Sequence, residues 1–211
     1  MAESLAQPLL RGHLHHAMFY ISILACIPLI YKSTNSTEMT STIIYSLGLL
    51  SMFGFSALYH RARATFKVKK LLRKLDHTGI FLMIAGSFTP VCLLALPATS
   101  GISLLIIIWS VACIGIIQAL FFTNIHRMLR AAIYLAAGYM AIPFISVFFS
   151  ALGMTKAILI ISGGVIYSLG ALAYGFKSPK LNPAIFGFHE MFHLLVIIAA
   201  ILHFIVIYSL I

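Results

Sequence analysis

Ser56 and His60 stand four residues apart, as do His189 and His193, and Asp76 with His77 lies between the two pairs. Residues four apart share one face of a helix. On a helix, His189 and His193 are about 6 Å apart along the axis, a spacing that lets two imidazoles reach one metal ion. Three neutral imidazoles, an open fourth position for water and an outer carboxylate make up the composition of a catalytic zinc site. Imidazole also suits iron, copper and nickel. The run His189-Glu190-Met191-Phe192-His193 also matches H-E-x-x-H, in which the glutamate is a general base. Two carboxylates therefore compete for that role. In one reading Glu190 activates water. In the other Asp76 does, and Glu190 only opens a helix near its positive end.

Taken singly, most of these residues have plainer explanations. His60 reads as an interfacial histidine, Asp76 as a helix cap or first-turn dipole partner, and Ser56 as a small packing residue or back-bonded hydroxyl. His13, His15, His16 and His126 read as interfacial, and His203 as a hydrogen-bonded histidine deep in a helix. The case for a site rests on the elements that carry Ser56, His60, Asp76, His189 and His193 to one depth.

Those elements are set by lipid. The chain has 211 residues, of which 62% are hydrophobic and 9% charged, and its mean hydropathy is +1.07. A soluble domain carries about a quarter of charged residues, so this chain cannot cover itself with polar surface. In lipid the backbone must satisfy its own polar groups, which leaves helices or closed barrels. A crossing takes about 20 mostly apolar residues. Runs near 14–31, 42–60, 75–96, 102–122, 130–150, 156–176 and 187–211 meet that length, an all-α bundle of seven transmembrane helices in a single domain over 1–211. Only Gly153, Thr155 and Lys156 mark the fifth from the sixth. Pro28, Pro90 and Pro143 fall inside runs and should kink them. Cys26, Cys92 and Cys113 all lie in apolar runs and read as small buried hydrophobes. The first apolar run is expected to be a retained helix, since no cleavable signal pattern precedes it.

The net charge of +10 is mostly topology. With seven crossings, Arg11, Arg61, Arg63, Lys67, Lys69, Lys70, Arg73, Lys74, Arg127, Arg130, Lys177 and Lys180 fall on one side, twelve of the fourteen Lys and Arg. Lys32 and Lys156 fall on the other. The positive-inside rule then gives a cytoplasmic N-terminus and an external C-terminus, with attraction to anionic lipid as a secondary effect. The cations have no interleaved aromatics or nucleic-acid-binding fold, so nucleic acid is not expected as a partner. This orientation brings His60, Asp76, His189 and His193 near the cytoplasmic face.

Four segments, PLLRGHLHH at 8–16, SALYHR at 56–61, LDHTGIFLMIAGSFTP at 75–90 and FGFHEMFH at 186–193, resemble the hemolysin III family, within the progestin and adipoQ receptor superfamily of seven-span proteins. The resemblance implies a zinc ion (Zn2+) held by His60, His189 and His193, with Asp76 beside its water and Ser56 in support. It favours Asp76 over Glu190 as the base. By analogy with superfamily members that resemble ceramide amidases, it implies hydrolysis of a lipid acyl bond, amide or ester, through a zinc-activated water in an inner (plasma) membrane. The alternatives are a receptor or membrane-homeostasis regulator with a structural zinc site and, behind it, a lytic protein. A membrane lipid is the expected partner.

Overall fold

The computed structural model describes residues 8–182 and 184–211; Glu3 and Pro183 lie outside them. Among the described residues the regular structure is entirely helical: α1 (His13–Tyr31), α2 (Ser36–Arg61), α3 (Phe66–Leu94), α4 (Ala98–Phe121), α5 (Arg127–Tyr139), a short 3₁₀ turn (Ile142–Phe144), α6 (Ile145–Phe176) and α7 (Phe188–Tyr208). Local chemistry explains several boundaries. Asn35 caps α2, its side chain accepting from Thr37 N and Glu38 N at 3.1 and 3.0 Å, which satisfies amides that a helix start leaves free. The His126 ring does the same for α5 by accepting from Met128 N at 3.3 Å. Pro97 stands at the N-cap of α4. Pro28 and Pro90 lie inside α1 and α3, and Pro143 falls in the 3₁₀ turn, where the helix is interrupted.

Two expectations change. The basic stretch up to Lys74 was expected as a connection between crossings, yet only residues 62–65 are non-helical and Lys67–Lys74 form the first turns of α3. Lys, Arg and Leu are good helix formers, and the long cationic stems can lie along the helix while their heads reach water. Of the three cysteines, Cys26 and Cys92 are buried, but Cys113 faces outward on α4.

Six helical segments are long and apolar enough to cross a membrane, and one of them, Arg127–Phe176, holds 50 residues. A straight helix of that length would run about 75 Å, more than twice the ~30 Å hydrocarbon core. The segment instead doubles back at Gly153, whose φ of 76° and ψ of 167° break the helix in a region that side chains avoid. The returning arm packs antiparallel to α5: Arg127 donates to Gly175 O at 2.9 Å and the Tyr139 and Ser168 hydroxyls meet at 2.8 Å.

The helices pack as neighbours in chain order, and α1 closes the ring against α7. Helix α3 sits innermost, touching α2, α4, α5 and α7, and is 61% buried over its apolar window, whereas α4 is 28% buried. One core cluster joins Phe81 and Ala85 of α3 to Leu104 and Ile108 of α4 and Phe148 of α6. A second joins Leu29 of α1, Tyr45 and Phe53 of α2 and Val196 and Ile197 of α7. Large apolar side chains such as Leu24, Ile106, Ile114 and Val165 point outward, the arrangement expected when lipid is the solvent. Where α2 crosses α3 the backbones nearly touch. A Cβ on Gly48 would lie 2.7 Å from Leu82 O, and one on Gly86 would lie 3.2 Å from Ile44 O. Small residues at such crossings are how membrane helices gain packing contacts.

Lys32 and Lys156 donate to Tyr208 O and Ser209 O at the C-terminal end of α7, while Arg11 reaches Glu190 at its N-terminal end. The bundle therefore has one end rich in cations and one poor in them. Packing at the α2–α3 crossing predicts that Gly48→Leu lowers stability by about 2 kcal/mol and so lowers Tm in detergent. Gly164→Ala, which meets nothing within 4 Å, should leave Tm in place.

Candidate metal centre

His60 lies in the last turn of α2. His189 and His193 lie in the first turns of α7, where Glu190 sets the start by accepting from Gly187 N at 2.8 Å. The two helices thus bring three imidazoles together at the cation-rich end. His60 Nε2 and His189 Nε2 are 3.1 Å apart, and one ring nitrogen from each of His60, His189 and His193 lies within 4.8 Å of the others. Four ligands around zinc at about 2.0–2.1 Å lie roughly 3.3 Å from one another. The imidazole pair is already near that separation, and closing the third needs only a small side-chain shift. His193 is buried at 2% exposed, while His60 and His189 are half-buried. Nitrogen donors in this number can hold a metal ion.

Around the imidazoles the other expected residues take different places. Ser56 is buried one turn before His60 on the same face of α2, and its hydroxyl lies beside the Asp76 carboxylate of α3. Asp76 also feels Arg130 of α5, itself buried and donating to Thr123 O at 2.9 Å and Ile125 O at 3.3 Å. Asp76 is not part of the close nitrogen group. His77 turns toward α5, where Tyr134 Oη meets its Nδ1 at 3.0 Å. His203 meets Ile160 O at 3.1 Å, as expected for a bonded histidine deep in α7. Both carboxylate oxygens of Glu190 are engaged, one by Gly187 N and the other by Arg11 Nε.

His15 departs from the interfacial reading. It is 3% exposed, its ring stacks on His193 with centroids 3.8 Å apart and 7° between planes, and it meets Phe53 edge-on. Neither of its ring nitrogens has a hydrogen-bond partner among the described residues. Its neighbours behave as expected for surface residues, His13 meeting Arg61 and His16 meeting Tyr20. A signal for His15 does exist: it shares the inward stripe of α1 with Ser22, Cys26 and Leu29, at spacings that follow the helical period. Gly12, at φ 74°, turns the chain into α1 so closely that a Cβ there would lie 2.6 Å from the Cβ of His60. The strap 8–10 is held in turn by Leu9 N and Leu10 N donating to Ala184 O and Ile185 O.

A family model described as haemolysin-III related matches residues 3–204. A hemolysin-3 homolog of Bacillus subtilis is 32% identical over 168 residues, covering 78% of each chain. Hemolysin-3 of Bacillus cereus is also 32% identical over 168 residues, covering 79% of this chain and 73% of its own. An adiponectin receptor protein of Drosophila melanogaster is 28% identical over 92% of this chain and 50% of its own length.

The geometry predicts about one tightly bound divalent ion per chain, read by elemental analysis of the purified protein. His189→Ala or His193→Ala should abolish it and His203→Ala should retain it. His15→Ala, by freeing the His193 ring, should weaken affinity about tenfold.

Proposed function

The chain belongs to the haemolysin-III-related family, and from that membership and its imidazole cluster we propose that it is a zinc-dependent integral membrane hydrolase of lipid acyl bonds, amide or ester. The observation that carries this reading is the convergence of three imidazole nitrogens, each within 4.8 Å of the others, the donor set that catalytic zinc sites combine with a water in the fourth position. His60, His189 and His193 would hold the ion. Zinc there supplies Lewis acidity, polarising a carbonyl oxygen and lowering the pKa of a bound water. Asp76 is the general base: it takes the proton of the attacking water and returns it to the leaving nitrogen or oxygen. The Ser56 hydroxyl steadies the Asp76 carboxylate, and Arg130 keeps that carboxylate in a favourable field. Glu190 is the weaker candidate, because capping α7 and pairing with Arg11 occupy both of its oxygens.

The reading includes seven crossings, with Gly153 as the turn between the fifth and the sixth. The N-terminus is cytoplasmic, the C-terminus external, and the metal centre is near the cytoplasmic face of the plasma membrane. The concentration of cations at one end of the bundle supports that orientation. A second reading, a receptor or homeostasis regulator whose zinc is structural, draws on the likeness to the fly adiponectin receptor protein.

Two experiments test these points. In detergent-solubilised protein, Asp76→Asn should lose about a hundredfold or more of lipid-hydrolysing turnover while keeping its metal, whereas Glu190→Gln should lower Tm by stranding Arg11 without a comparable loss of turnover in the protein that stays folded. Hydrolysis that survives complete chelation would contradict the metal role, and chelation that lowers Tm with no turnover at any stage would favour the receptor reading. For topology, Lys156→Cys in intact cells should react with an impermeant thiol reagent and Lys180→Cys only after permeabilisation. The reverse pattern would invert the orientation, and equal labelling would remove the odd number of crossings.

A further inference from the structure

Beside His60 the cation-rich end opens into a cavity of about 490 Å³, within the range of small-molecule sites. Its walls carry Arg11, Lys69, Lys70 and Arg73 and, among the described residues, no acidic side chain. Of these, Arg11 is matched by Glu190, the one carboxylate ion pair among the described residues. Among the described residues, Lys69 and Arg73 donate only to the backbone carbonyls of Tyr59 and Thr123, and Lys70 makes no ion pair. Three positive charges around one concavity are therefore without a carboxylate ion-pair partner among the described residues. Like charges gathered around one concavity repel unless an anion joins them, and a low-dielectric wall focuses their field. The guanidinium of Arg73 adds a planar fork of donors suited to phosphate. Tyr59 and Phe66 complete the wall with apolar surface, and Lys69 Nζ stands 5.4 Å from the Tyr59 ring centre. The volume is more than a phosphate alone requires, and the apolar wall suits the glycerol or acyl stem that would carry one.

We infer that this cavity is a phosphate-binding site, filled either by the headgroup of an anionic phospholipid or by free phosphate, and that it holds the anion at the mouth of the imidazole cluster. If the hydrolase reading holds, on which this last step rests, the substrate class is a phosphate-bearing acyl lipid, anchored by its headgroup so that its acyl linkage lies next to His60.

Binding can be read apart from catalysis by using chelated, full-length protein in an uncharged detergent. Three probes are titrated: a short-chain phosphatidic acid, a phosphatidylcholine of the same chain length, and inorganic phosphate. The expected result is that phosphatidic acid binds about tenfold more tightly than phosphatidylcholine and that Lys70→Glu removes this preference. Lys67→Glu, an exposed cation on the same helix that does not line the cavity, should keep it and so exclude general surface charge. If inorganic phosphate binds equally well and shows the same loss in Lys70→Glu, the site is still a phosphate site, and the occupant is free phosphate. The proposal is overturned if neither anion binds, if phosphatidylcholine binds as well as phosphatidic acid, or if Lys67→Glu and Lys70→Glu have equal effects. Failure of turnover with intact binding would instead count against the hydrolase reading alone.

Discussion

A carboxylate that is 1% exposed at the first turn of α7 must be answered by a cation, and Arg11 answers it. Much of the cation-rich end depends on this pair. Ionised side chains are costly to bury, and removing one partner strands the other, so the pair constrains both segments that carry it. On one side, Glu190 caps α7 and so sets where His189 and His193 begin their turn. On the other, Arg11 ties down the strap that leads through Gly12 into α1, laying that strap against His60 and placing His15 on the face of His193. One ion pair thus registers three helices, α1, α2 and α7, around the imidazoles.

Lipid supplies the second constraint. The outward apolar side chains of α1, α4 and α6 have no partner within the bundle, and no hydrophobic force drives helices together once they are in hydrocarbon. Close packing and internal polar contacts must hold the bundle instead. The glycine-lined crossing of α2 and α3 meets the first need. The second is met by pairs such as Trp109 Nε1 donating to Thr89 Oγ1 at 3.1 Å and Tyr134 with His77. Helix α3, the innermost helix, carries Asp76, His77 and Thr89 where neighbouring helices on several sides can supply polar partners.

The sequence made much of this legible. The middles of the helices follow from apolar runs, and the two histidine pairs from their spacing of four. Their convergence was legible only through charge: the partition of cations sets which helix ends meet, and the ends that carry His60 and His189 do meet. Local signals did not reach further. The basic start of α3 looked like a connection because charge density masks helix propensity. His15 was lost among His13 and His16, although its stripe with Ser22, Cys26 and Leu29 follows the helical period. Arg11 and Glu190 are 179 residues apart, and nothing local ties two residues so distant. The helix-opening reading of Glu190 was therefore open from its position, while its pairing with Arg11 stayed hidden.

In the proposed metal centre three imidazoles hold one ion beside a water. X-ray absorption at the zinc edge on the purified protein reads that shell directly. The expected result is three imidazole nitrogens at about 2.0–2.1 Å and one oxygen scatterer that exchanges with added anions. A shell filled by four protein ligands with no exchangeable oxygen would make the metal structural. Absence of bound metal from protein purified without chelator would contradict the metal centre itself.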